Sequence, residues 1–117
     1  MIRTQEKNTI LKCIQEATKI KNYALRSHAV RHMLTEGFDE PHILESIENG
    51  KILEIYNEDS RCLIIGTFQI SESIKEFLHV VVDYWSESGQ IDWVDFVTAY
   101  IPRAPFWETP LRRGGKR

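Results

Sequence analysis

The four histidines, His28, His32, His42 and His79, set the chemistry open to this sequence, because imidazole is the side chain that ordinarily changes charge near neutral pH. His28 and His32 stand four residues apart in a segment of helical periodicity, so both rings project from one face. That spacing holds zinc only with a third ligand, and no glutamate follows His28 as it does in zinc proteases. His42 and His79 would complete such a site only by a coincidence of folding, so no metal or other cofactor is expected. The competing use of the rings is general acid–base catalysis. A helix histidine hydrogen-bonded to a sheet accounts for any one of them taken singly.

His79 lies within Leu78-His79-Val80-Val81-Val82, where a polar ring needs a hydrogen-bond partner or a cleft. Thr98 and Tyr100 share parity on the last predicted strand, so their hydroxyls share a face. Hydroxyls beside histidines and arginines are the parts of a metal-free phosphodiesterase site. One group takes the proton of an attacking 2′-hydroxyl, another protonates the leaving oxygen, and cations stabilise the phosphorane-like charge. Threonine and tyrosine are also ordinary strand formers, so the weight lies in the combination. The sequence has no phosphate-cradling glycine-rich loop, no Gly-x-Ser-x-Gly elbow and no supported Cys–His pair.

The elements that must position these groups follow from periodicity. Ile10, Cys13, Ile14 and Ala17 predict an amphipathic helix over residues 4–19. A second helix opens at Ser27 as N-cap and closes at Gly37, with Ala29, Met33 and Leu34 as its buried stripe. Asp39 caps a third helix, with Pro41 in its first turn and Asn49-Gly50 at its end; Ile43, Leu44 and Ile47 form its apolar face. Beyond Gly50 the period changes to two. Strands are predicted at 51–56, 61–68, 77–85 and 91–100, with Gly66 marking a bulge or a close backbone approach. The expected fold is α+β, with N-terminal helices packed on one face of a four-stranded antiparallel meander.

At 117 residues this is one domain, expected over residues 1–107 and followed by a basic flexible tail at 108–117. No apolar run approaches the ~20 residues that cross a bilayer, and no secretory stretch follows Met1. Cys13 and Cys62 are too few for a disulfide scaffold, so a reduced, cytoplasmic chain is expected. Charge is segregated: residues 1–36 carry a balance of +4, residues 37–95 of −10 and residues 96–117 of +4. Basic ends around an acidic middle give a polarised surface if the ends meet in the fold.

The motifs also fall in a familiar order. Ser27-x-His-Ala, then Met33 and Gly37, precedes an acidic helix ending in Asn49-Gly50-Lys51-Ile52. Leu63-Ile64-Ile65-Gly66, Leu78-His79-Val80-Val81 and Val97-Thr98-Ala99-Tyr100-x-Pro102 follow, with Trp107 after them. Together, from about residue 20 to 107, they resemble the domain of unknown function 4258 family. That family is similar to small RNase toxins of the RelE and BrnT kind, grouped with barnase-like and colicin-like nucleases. The resemblance implies helices on a four-stranded antiparallel sheet, a possible metal-free RNase and an antitoxin partner. His28, His79, Thr98 and Tyr100 match the family's polar pattern, whereas His32 replaces a usual arginine and Thr35-Glu36-Gly37 replaces Glu-Arg-Gly. The family's Pro-Asp-Pro becomes Pro102-Arg103-Ala104.

The expected function is therefore that of an RNA-cleaving toxin, acting on free or ribosome-associated RNA. His28 serves as base and His79 as acid, with Asp83 the carboxylate expected beside His79. Thr98 and Tyr100 orient the phosphate. Arg31, His32, Arg61, Arg103, Arg112 and Arg113 bind RNA. The alternative is a non-catalytic protein-interaction module, marked by exposure of Trp85, Trp93, Phe106 and Trp107.

Overall fold

The computed structural model describes residues 4–56, 60–87, 90–103, 107–109 and 112–113. The chain runs through α1 (Thr4–Lys19), β1 (Tyr23–Leu25), α2 (Ser27–Glu36) and α3 (Glu40–Asn49). It continues through β2 (Lys51–Tyr56), β3 (Arg61–Gln69), β4 (Lys75–Glu87) and β5 (Gln90–Tyr100). Two short strands, β6 (Trp107–Thr109) and β7 (Arg112–Arg113), pair separately and antiparallel. Among the described residues no helix is long and apolar enough to cross a membrane.

The main sheet has five strands in the order β1-β5-β4-β3-β2. Strands β2 to β5 form the expected antiparallel meander, but β1 adds a parallel edge, with Tyr23, Ala24 and Leu25 opposite Val94, Asp95 and Phe96. The sheet is thus mixed and five-stranded rather than four-stranded antiparallel. Three residues are too few to show a period, and β1 exists because the edge of β5 offers it hydrogen-bond partners.

One face of the sheet carries the core. Leu78, Val80 and Val82 of β4 and Cys62, Ile64 and Phe68 of β3 pack with Val94, Phe96 and Ala99 of β5. Against them sit Ile14 and Ala17 of α1, Ile43 and Ile47 of α3, and Phe38. Gly66 permits the approach of α3, since a Cβ there would lie 2.0 Å from the Ser46 carbonyl oxygen. The ladder runs through Gly66 without a shift, so this glycine marks a close approach and not a bulge.

The caps show what local chemistry governs. Asp39 and His42 make a reciprocal capping box at α3, and Gly37 ends α2 with φ of 83°. The N-cap of α2 is Arg26, however, not Ser27. Its backbone N–H donates to the Phe96 carbonyl, which extends the β1 pairing by one residue and moves Ser27 into the first turn. Leu34 is 82% exposed rather than buried, because it lies about 140° around the helix from Ala29.

Where β1 ends, α2 takes over the edge of β5. Ten helical residues rise about 15 Å, close to the reach of the five extended residues 97–101. At the far end Glu36 Oε1 accepts the N–H of Ile101 at 2.9 Å.

Candidate functional site

The sheet face opposite the core bears the polar residues. Strand alternation and register arrange them in rows across the strands. One row is Lys51, Ile65, His79 and Tyr100, running from β2 to β5. The next is Glu54, Leu63, Val81 and Thr98, followed by Tyr56, Arg61, Asp83 and Asp95. Trp85 opposite Trp93 closes the series.

At the β5 end of the first row, side chains of α2 join it. His79 Nδ1 lies 3.3 Å from the Tyr100 hydroxyl, with ring centroids 5.2 Å apart. Tyr100 stands 6.4 Å from His32, and His32 meets His28 edge-on at 4.8 Å. The structure thus brings His28, His32, Tyr100 and His79 into one line of rings. His28 is exposed, His32 and Tyr100 are half-buried, and His79 is fully buried. Thr98 flanks the line in the adjacent row, and its Oγ1 is buried without a hydrogen-bond partner among the described residues.

Glu36 organises the α2 side. Its Oε2 accepts from His32 Nδ1 at 2.6 Å while Oε1 holds the Ile101 amide. A carboxylate only accepts, so the shared proton resides on Nδ1, and in the neutral ring the acceptor is then Nε2. Glu36 was not among the residues singled out from sequence. The signal was present as His32 and Glu36 at i and i+4, the spacing that places side chains in contact along a helix.

The arginines divide into engaged and free. Asp83, nearly buried, accepts from Arg61 Nε at 2.5 Å and from Arg26 Nη2 at 3.1 Å. Arg26 Nε also donates to Asp95 at 2.8 Å, and its guanidinium stands 6.0 Å from the centre of the Trp85 ring. Arg61 is therefore held by Asp83, two outward-facing positions along β4 from His79, and Asp83 serves these arginines rather than His79. Arg31 and Arg103 are exposed and make no ion pair among the described residues. They belong to the two basic segments, which meet where α2 lies along β5. For Arg112 and Arg113 only the backbone of β7 is described, and residues 114–117 lie outside the described residues.

His42 is spent on the α3 cap, and among the described residues no group of three or more His, Cys, Asp or Glu could hold a metal ion. Trp85 and Trp93 are 48% and 40% exposed; Phe106 lies outside the described residues, and Trp107 is described in its backbone only.

Comparison with curated proteins and with solved structures returned no match. A family model does match, over residues 25–101, a span that contains the whole line of rings, Glu36, Thr98 and the arginine–aspartate network. The chain belongs to the family described as a domain of unknown function, DUF4258.

Proposed function

We propose that the chain is a ribonuclease that cuts single-stranded RNA by transesterification, in the manner of the small RelE- and BrnT-like toxins, with an antitoxin protein as its partner. The observation that carries this reading is the seam of α2 and β5, where a carboxylate-held His32 stands between the ring of His28 and the ring of Tyr100.

His32 is the base. Glu36 fixes the proton on Nδ1, so Nε2 accepts the proton of the attacking 2′-hydroxyl, and Glu36 compensates the charge that forms on the ring. The 2′ oxygen bonds to phosphorus and the bond from phosphorus to the 5′ oxygen breaks. His28 gives its proton to that departing oxygen. The products are a 2′,3′-cyclic phosphate and a 5′-hydroxyl. Tyr100 and Thr98 orient the phosphate, and Arg31 and Arg103 stabilise its added negative charge. A fully buried ring touches no RNA, so His79 is a positioning residue that fixes the Tyr100 hydroxyl. The roles first read for His28 and His79 thus pass to His32 and His28.

The test is an oligonucleotide with a single ribose among deoxyriboses. Cleavage is expected at the ribose only, unaffected by chelator, leaving a cyclic phosphate. His32→Gln and His28→Gln should each lower the rate by roughly 100-fold or more with the fold intact. Absence of cleavage by the unaltered protein, or undiminished cleavage by both variants, refutes the reading.

A second reading, a protein-interaction module, draws support from the exposed Trp85–Trp93 pair. It predicts a stable complex with a partner protein that Trp85→Ala and Trp93→Ala disrupt, with no RNA cleaved under any condition.

A further inference from the structure

We propose a second RNA-binding subsite at the opposite end of the His79–Tyr100 row, taking a nucleotide of the same strand through its base and the two phosphates that flank it. This rests on the ribonuclease reading for its occupant, though not for its construction. A depression of about 310 Å³ opens there, lined by Asn49, Lys51, Ile65, Thr67, Lys75 and Phe77. Ligand clefts begin at about this size.

Three observations select the ligand. First, residues 37–95 contain three cations among thirteen acids, and two of the three, Lys51 and Lys75, come together at this cleft. Both are exposed and make no ion pair among the described residues, whereas the third, Arg61, is bound to Asp83. Two exposed ammonium groups lining one cleft in an otherwise acidic stretch make it a local site of attraction for phosphate. Second, Phe77 is 42% exposed at the same cleft, opposite Thr67, and offers a ring face for a base. Third, the cleft and the candidate site stand at the two ends of one row, with Ile65 and His79 buried between them. Lys51, Ile65, His79 and Tyr100 stand in register on one face, so three strand spacings, about 14 Å, separate its ends. A stacked single strand covers that distance in about four nucleotides, and an extended one in fewer. One RNA strand then reaches both ends, held at Lys51 and at Tyr100 and making no contact with the buried Ile65 and His79 between them.

The experiment measures binding of a fluorescent 2′-O-methyl hexanucleotide, which cannot be cut, across a tenfold range of salt. Each neutralised phosphate contributes a slope of about −0.7 for single strands, so loss of two contacts lowers the slope by about 1.4. Over that range the unaltered protein should therefore lose about 25-fold more affinity than Lys51→Gln/Lys75→Gln. Lys7→Gln/Lys12→Gln, which changes net charge equally on α1 at the other face, should keep the original slope. Phe77→Ser should weaken binding roughly fivefold or more without changing the slope.

Equal slopes for the unaltered protein and Lys51→Gln/Lys75→Gln, or no binding of the hexanucleotide, overturn the subsite. Lysine-dependent binding by a protein that cuts no RNA sustains the subsite and refutes the ribonuclease. Cleavage at the α2–β5 seam with equal slopes does the reverse.

Discussion

Replacing Glu36 by glutamine separates what this residue does for the fold from what it does for His32. One carboxylate oxygen accepts the Ile101 amide at 2.9 Å and the other accepts His32 Nδ1 at 2.6 Å. A glutamine amide keeps one acceptor, which the Ile101 N–H still uses. Its NH₂ then faces Nδ1, and two donors cannot share a bond. The imidazole answers by moving its proton to Nε2 and accepting through Nδ1. Stability should fall by only about 1 kcal/mol, the difference between a charge-assisted and a neutral hydrogen bond. Activity should fall much further, because Nε2 now carries a proton and cannot take the one on the 2′-hydroxyl. The equivalent change in a serine protease triad costs about 10⁴ in rate through the wrong tautomer, and a loss of 10²- to 10⁴-fold is expected here. Glu36→Ala removes both bonds, strands the Ile101 N–H and should cost about 3 kcal/mol. The assays are denaturant unfolding, cleavage of the single-ribose oligonucleotide and ¹⁵N detection of the His32 ring tautomer. A Glu36→Gln protein whose tautomer has switched but which still cleaves within threefold of the original rate refutes His32 as the base.

Four further outcomes follow from the packing and the charges. Gly66→Ala places a methyl 2.0 Å from a backbone oxygen of α3 and should cost about 3 kcal/mol in denaturant unfolding, at the upper end for overpacking; a cost under about 0.5 would show that α3 shifts freely. Asp83→Asn should cost about 2 kcal/mol, less than the 3–5 of a fully buried pair, because the Arg26 and Arg61 side chains remain 39% and 36% exposed; no change in unfolding midpoint would show that water already satisfies both. Burial, helped by the negative charge of Asp83, pushes the Cys62 thiol up to about 12, so at pH 8 a thiol reagent should modify half-buried Cys13 and leave Cys62 intact in the native protein. Because the folded value exceeds the ordinary 9.0, the stability held by neutral Cys62 is complete below pH 9 and is lost as pH rises towards 12, and a flat alkaline stability profile would contradict this.

Much of the fold was legible because local signals agreed with tertiary need. The helix over residues 4–19, the Asp39 cap, the Gly37 stop and the four-strand meander all rest on periodicity or on a backbone angle that few residues adopt. Two of the failures share a cause. Strand β1 and the Arg26 cap are both set by the edge of β5, which lies about seventy residues away in sequence and leaves no local trace. The exposure of Leu34 follows instead from its angle to Ala29 around α2. Parity put Thr98 and Tyr100 on one face, and the register puts His79 there with them. Burial was not legible. The sequence does not show that His79 is enclosed while His28 is open, and this difference moves proton transfer from one to the other in the proposed mechanism.

The location of the seam has a physical reason. A strand edge left open presents N–H groups that need acceptors, and a neighbouring strand would supply them from its backbone. Beyond Phe96 the neighbour of β5 is a helix, whose own carbonyls are committed along its axis, so the acceptor must come from a side chain. Glu36 fills that need at Ile101, but a carboxylate has two oxygens and the sheet uses only one. The second oxygen points back along α2 to the residue one turn earlier, which is His32. A requirement of sheet termination thus produces an oriented imidazole beside Tyr100.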